Sequence, residues 1–303
     1  MHGKQVRVGI GDDCAVLRPP RGHEVLVTTD FSLEDVHFRR EWHPADSVGH
    51  RCLARALSDI AAMGGEPLAA FLSLALPGDL EQNWVDDFIR GVLKLASKFK
   101  LPLAGGDIAQ SLGGVLADIM VVGSVPQGKA ALRSGASAGD RIYVTGTLGG
   151  SAAALALLRQ GRKLRPRDFP QHFAPMPRIE VGRVLRQKKL ATAMIDISDG
   201  LSVDLRHICE ESGVGARIDA RRLPLGGEPI TRRLVNESFA LHGGEDYELL
   251  FTARKQVPVN IAGVPITCIG EITRERLVVV ARGGRETELK QRGWEHFTEG
   301  VSS

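Results

Sequence analysis

Runs of apolar residues along this chain switch repeatedly between strand-like and helix-like spacing. "EVLVTTD" (24–30) reads as a strand, and "ADSVGHRCLARALSDIAAMGG" (45–65) as a helix stopped by glycine. "PLAAFLSLALP" is a buried strand closed by proline, while Trp84, Phe88, Val92, Leu95 and Phe99 recur at helical spacing over 81–99. "LPLAGGD" and "VLADIMVVGSV" read as further strands. A small, glycine-rich stretch, "GKAALRSGASAGD" (128–140), then suggests a domain boundary. Beyond it "RIYVTG" is a strand, "SAAALALLRQG" a helix, 162–177 a proline-rich loop and "PRIEVGRVLRQ" a helix. "ATAMIDISDGLSVDL" (191–205) reads as a strand running into a helix, and "YELLFTA", "ITCIGEI" and "RLVVVA" as strands. Strands and helices intermix in both halves, which predicts layered α/β or α+β architecture. The expected domains are 1–130 and 131–303, a division that suits 303 residues.

Composition narrows the function classes. The net charge is +3 without a basic block, so nucleic acid is not an expected partner. The longest apolar run, "LAAFLSLAL", is too short to span a bilayer, and no apolar signal segment opens the sequence. Four scattered cysteines form no C-x-x-C pair, so a cytoplasmic setting is expected and a zinc site is not.

The chemistry lies in the carboxylates. Asp12 and Asp13 sit in "GIGDDCAV", Asp30 ends "LVTTD", Asp59 lies near a helix end, and Asp107 follows two glycines. Asp196 and Asp199 flank a strand–helix junction, and Glu245 and Asp246 sit in "LHGGEDYELLF". Each alone has an ordinary explanation, since Asp beside Gly is turn chemistry and Asp199 could cap a helix. His37 could be a surface histidine, Arg133 a solvated cation and Trp294 a core aromatic. As a set they are harder to dismiss. Ionised carboxylates at apolar strand ends are costly and repel one another, and cations relieve both problems. Oxygen-only donors select a hard ion such as Mg²⁺, which is commonly shared with phosphates. Adjacent glycines let backbone N–H groups approach phosphate oxygens. No Walker loop, dinucleotide fingerprint or protein-kinase motif set is present.

Eight pieces in order resemble the thiamine-monophosphate kinase family: "GIGDDCAV", "TTDFSLEDVHF", "ALSDIAAMGGEP", "LAGGDIA", "RSGASAGDRIYVTGTLG", "IDISDGLSVDL", "GGEDYELLF" and "GWEHF". They span nearly the whole chain. The resemblance implies ATP-dependent conversion of thiamine monophosphate to thiamine diphosphate. It implies the two-domain fold of aminoimidazole ribonucleotide synthetase, with an N-terminal ATP- and metal-binding domain that pairs its sheet across a homodimer. By the same resemblance Asp12, Thr28, Thr29, Asp30, Asp59, Asp107, Asp196 and Asp199 hold magnesium. Gly106, Asp107, Arg133 and Ser198 meet ATP, and His37, Glu245 and Trp294 meet the thiamine substrate. No protein nucleophile is expected, because the acceptor is an ionised phosphate. The sequence departs from the family at Asp35, where glycine usually precedes V-H-F, and at Ile108, where threonine usually follows G-G-D. It also begins close before "GIGDD", where relatives usually carry a longer leading segment. Two other readings are a nucleotide-binding relative without catalysis and another ATP-dependent enzyme of the superfamily. The reactive N-terminal cysteine loop or C-terminal cysteine tail that marks some of those enzymes is missing.

Overall fold

The computed structural model describes residues 5–226, 233–283 and 285–290. In chain order the strands and helices are β1 (Val6–Val8), β2 (Val16–Leu17), β3 (His23–Leu33), α1 (Ala45–Ala62), β4 (Glu66–Pro77), α2 (Gln82–Lys98), β5 (Leu103–Ser111) and β6 (Leu116–Pro126). They continue with β7 (Arg141–Thr145), α3 (Gly150–Arg159), α4 (Pro170–Phe173), α5 (Ile179–Gln187), β8 (Ala193–Asp196), α6 (Leu201–Ser212) and β9 (Gly215–Asp219). The last are α7 (Glu237–His242), β10 (Leu249–Ala253), β11 (Asn260–Ile261), β12 (Val264–Thr273), β13 (Val278–Arg282) and β14 (Arg285–Glu288).

These elements form two compact units, Met1–Ala131 with Lys163–Lys188, and Leu132–Arg162 with Lys189–Ser303. The segment 163–188, expected in the second domain, instead packs in the first unit. Side-chain hydrogen bonds hold it there. Ser47 Oγ donates to Phe173 O at 2.6 Å, His50 Nε2 donates to Pro175 O at 2.8 Å, and Arg186 Nε donates to Gly64 O at 2.6 Å. His43, Arg51 and His172 are buried together, with His43 Nε2 2.9 Å from both His172 Nε2 and Arg51 Nη1. Proline-rich composition marks 162–177 as irregular but carries no signal of which unit it joins.

The first unit is a four-stranded sheet in the order β3-β6-β4-β5, antiparallel except for the parallel β4–β5 pair. Helix α1 packs on one face of it, against β3, β6 and β4. Strand β3 alternates accordingly: Leu26, Thr28, Asp30 and Ser32 turn inward, and Val25, Val27, Thr29 and Phe31 outward. Helix α2 buries Phe88, Val92 and Leu95, the stripe its spacing predicts, while Phe99 falls just past its end as the C-cap.

The second unit is an eight-stranded sheet whose main path runs β14-β13-β9-β12-β7-β10-β8, with β11 beside β12. Only the β9–β13 pair is parallel. Ile142, Val144, Ile195 and Leu250 of the sheet share a core with Leu201, Leu205 and Ile208 of α6. Each such buried aliphatic side chain contributes roughly 1.5–3 kcal/mol. Strands β8 and β10 are buried along their whole lengths, so they read as continuous apolar runs with Asp196 as the polar end of β8.

Candidate active site

In the first unit, inward-facing Thr28 of β3 donates its hydroxyl to Asp59 Oδ2 in the last turns of α1. Asp30 lies two residues on, on the same side, half-buried. Arg55 of α1 donates to the neighbouring Phe31 O at 2.8 Å. Thr29, on the outward face, donates to Asp118 Oδ1 at 2.6 Å. The register sets Phe31, Asp118, Ser73 and Asp107 in one row across the four strands. Asp118 and Asp107 therefore share the outward face on either side of Ser73. Asp118 carries no role in the motif reading. Its one signal was a carboxylate in the otherwise apolar "VLADIMVVGSV".

Gly106 precedes Asp107 with φ +156°, and a Cβ there would lie 1.9 Å from Leu72 O. Only glycine leaves the backbone this close to the neighbouring strand. Asp107 accepts from the N–H of Ile108 at 2.9 Å, and Asp12 accepts from the N–H of Asp13 at 2.9 Å. Asp12 thus makes the local turn contact that its glycine neighbour suggests. His37 Nδ1 accepts from Leu33 N–H at 3.0 Å, so the neutral ring carries its proton on Nε2. Arg51 Nη2 donates to His37 O at 3.2 Å and fixes that turn. The turn includes Asp35 at φ +65°, which explains why glycine would suit the position.

In the second unit, the strand–helix junction gathers Asp196, Asp199 and Asp204. Burial, then the charges of Asp196 and Asp199, push the Asp204 carboxyl up to about 8. Asp204 Oδ2 accepts from Gly200 N–H at 3.0 Å and Asp199 N–H at 3.3 Å, capping α6 from within. Asp199 is therefore not the helix cap. Its backbone is held by a carboxylate five residues on, a residue in "SDGLSVDL" that sequence reasoning passed over.

The loop 243–248 lies along this junction. Glu245 N–H donates to Ser198 O at 2.7 Å, Tyr247 N–H to Ile197 O at 2.9 Å, and Ile197 N–H to Glu248 O at 2.7 Å. Glu245 and Tyr247 both take left-handed backbone, φ +63° and +51°. Between them Asp246 is buried and turns the other way, accepting from Gly149 N–H at 2.7 Å and from Ser151 N–H at the start of α3. Burial pushes its carboxyl up to about 8, aided by Glu248 and Glu245 and opposed by the two amide donors. Glu248 accepts from Thr145 Oγ1 at 2.5 Å. Arg133 is exposed on the loop that leads into β7, and Trp294 lies outside the described residues.

The structure thus brings together Thr28 with Asp59, Ser198 with Glu245, and Asp196 with Asp199. Among the described residues no group of three or more His, Cys, Asp or Glu side chains is arranged to hold a metal ion. Hydrogen bonds to Thr28, Thr29 and the Ile108 N–H engage Asp59, Asp118 and Asp107 separately.

The chain matches the models for the AIR synthase related protein family, its N-terminal domain over residues 11–125 and its C-terminal domain over 137–291. These matches define the chain as an AIR synthase-related protein. Thiamine-monophosphate kinase of Escherichia coli (strain K12) is 40% identical, over 96% of this chain and 92% of its own length. Thiamine-monophosphate kinase from Stenotrophomonas maltophilia K279a is similar in structure, with a TM-score of 0.81 at 35% identity, covering 91% of each chain. AaThiL complexed with AMPPCP and TMP matches with a TM-score of 0.79 at 33% identity, over 92% of this chain and 89% of that one. The chain belongs to the thiamine-monophosphate kinase family.

Proposed function

We propose that this chain transfers the terminal phosphoryl group of ATP to thiamine monophosphate, giving ADP and thiamine diphosphate. The observation that carries the reading is the likeness to a relative complexed with AMPPCP, an ATP analogue, and TMP. An oxygen of the acceptor phosphate attacks the γ-phosphorus. The bond from that phosphorus to the β–γ bridging oxygen breaks, and its electron pair leaves with ADP. The acceptor oxygen is already ionised, so no general base is required, and positioning and charge neutralisation carry the catalysis.

The donor chemistry fits magnesium. Asp12, Thr28, Thr29, Asp30, Asp59, Asp107, Asp196 and Asp199 offer oxygens alone, and Asp196 and Asp199 add negative charge beside Asp204, whose carboxyl is raised chiefly by burial. When bound, magnesium would neutralise charge on the phosphates of both substrates. Thr28 and Thr29 donate their hydroxyls to Asp59 and Asp118, which leaves their oxygen lone pairs to offer a cation. Gly106 offers close backbone approach to ATP, Asp107 and Ser198 lie beside it in our assignment, and Arg133 supplies an exposed cation. His37 can donate from Nε2 to the thiamine substrate, Glu245 complements its positive ring, and Trp294 stacks on it.

The active form is proposed to be a homodimer built on the outward face of the four-stranded sheet. Val25, Val27, Phe31 and Met120 are 50%, 62%, 56% and 38% exposed there in a single chain. Large apolar side chains exposed together on one sheet face, with polar residues among them, suit a protein interface, and a second copy of the same sheet would cover it symmetrically. No helix among the described residues is long and apolar enough to cross a membrane. All four cysteines are free, which suits a cytoplasmic setting.

Purified protein supplied with ATP, Mg²⁺ and thiamine monophosphate is expected to form ADP and thiamine diphosphate in equal amounts. ATP binding without turnover would replace this reading with that of a nucleotide-binding relative.

A further inference from the structure

Arg133 carries its side chain on an irregular loop, 132–140, and the backbone of that loop is pinned at three places. At one end Leu132 O accepts from Met194 N–H at 2.8 Å. At the other, buried Asp140 accepts from Ser137 N–H at 3.0 Å and Thr192 Oγ1 at 2.8 Å. The middle is held by one hydroxyl, that of Ser212. Its Oγ accepts from the N–H groups of Gly135 and Ala136, both at 3.1 Å, and donates to Arg133 O at 3.3 Å. A serine hydroxyl has one donor and two acceptor positions, and all three are used on this loop.

The arrangement is specific to the backbone around Arg133. Gly135 has φ +119°, and a Cβ there would lie 2.4 Å from Thr192 O, so the chain passes too close for any other residue. The Arg133 guanidinium is exposed and makes no hydrogen bond or ion pair among the described residues. The backbone that carries it therefore fixes where the side chain starts and which way its Cα–Cβ bond leaves, and Ser212 holds the middle of that backbone. Ser212 is also the last residue of α6, the helix that begins just after Ser198 and Asp199. One rigid helix of about 18 Å, at 1.5 Å per residue, thus spans from the Ser198 loop to the Arg133 loop.

We infer that Ser212 is a positioning residue for ATP: by holding the backbone of residues 133–136 through its hydroxyl, it aims Arg133 at the nucleotide. This rests on the assignment of Arg133 to ATP. Ser212 touches no substrate itself and acts through Arg133. The hydroxyl supplies the effect, so Ser212→Thr retains it and Ser212→Ala loses it.

Four variants test this in the full chain: Ser212→Ala, Ser212→Thr, Arg133→Gln, and Arg133→Gln with Ser212→Ala. Ser212→Ala is expected to raise KM for ATP about tenfold, the cost of losing these hydrogen bonds, with kcat and KM for thiamine monophosphate within about twofold of the parent. Ser212→Thr should behave like the parent. In the Arg133→Gln background Ser212→Ala should add nothing, because its effect passes through the missing guanidinium. Amide hydrogen exchange at Gly135 and Ala136 should quicken in Ser212→Ala without substrate present. The inference is overturned if Arg133→Gln raises KM for ATP and Ser212→Ala does not, or if the two effects add in full. A rise in both KM values together would also overturn it, by marking a general structural role. An unchanged KM for ATP in Arg133→Gln would instead remove the assignment of Arg133 on which the inference stands.

Discussion

Asp246 offers a test of the electrostatics in which the sign and size follow from the structure. Its carboxyl is buried, held by amide donors at the start of α3, and pushed up to about 8 chiefly by burial. In the unfolded chain the same group titrates near 3.8. Between those values the native state holds a proton that the unfolded state has released. Stability must therefore fall as pH rises through this window, by about 1.4 kcal/mol per pH unit for this one group. Asp246→Asn cannot ionise, yet its amide oxygen can still accept from Gly149 N–H. From pH 5.5 to 7.5 the parent should lose about 2.5 kcal/mol that the variant keeps. Urea unfolding of both proteins at several pH values, without magnesium or nucleotide, gives the two curves. Asp204 also favours its protonated form, but it is common to both proteins and cancels in the difference. Curves that run parallel across this range would refute the claim that Asp246 is buried and protonated.

Three further outcomes are expected. Asp59→Asn and Asp107→Asn should each lower turnover at limiting Mg²⁺ by roughly 100-fold with the circular dichroism spectrum retained, since each removes charge where metal is proposed; parent-like rates would contradict the ligand assignment. Val27→Glu, at a site 62% exposed in one chain, should leave the monomer folded but shift sedimentation from dimer to monomer; an unchanged dimer would move the interface elsewhere. Asp35→Gly should raise the melting temperature slightly, by up to about 1 kcal/mol of stability, because φ +65° strains a residue with a Cβ and the 3.6 Å exposed pair with Arg39 is worth little. A lower melting temperature would show that the Arg39 pair outweighs the strain.

Much of this protein was legible from spacing alone. The strands of the first sheet, the amphipathic helix at 82–98 and the strand–helix junction at 191–205 follow from local periodicity, which acts within a few residues. Asp59 and Asp107 could be singled out because glycines and an apolar context make a carboxylate conspicuous. Asp118, Asp204 and Ser212 could not. Asp118 matters because strand register sets it beside Thr29, 89 positions earlier in the chain. Ser212 matters because α6 returns to the Arg133 loop, 79 positions away. The segment 163–188 joined the first unit for the same reason, through hydrogen bonds from Ser47, His50 and Arg186. Local sequence thus determined which elements form and which carboxylates are exceptional. Register, side-chain hydrogen bonds and helix length, which connect residues far apart in the chain, decided which of those groups meet and which quiet residues hold them in place.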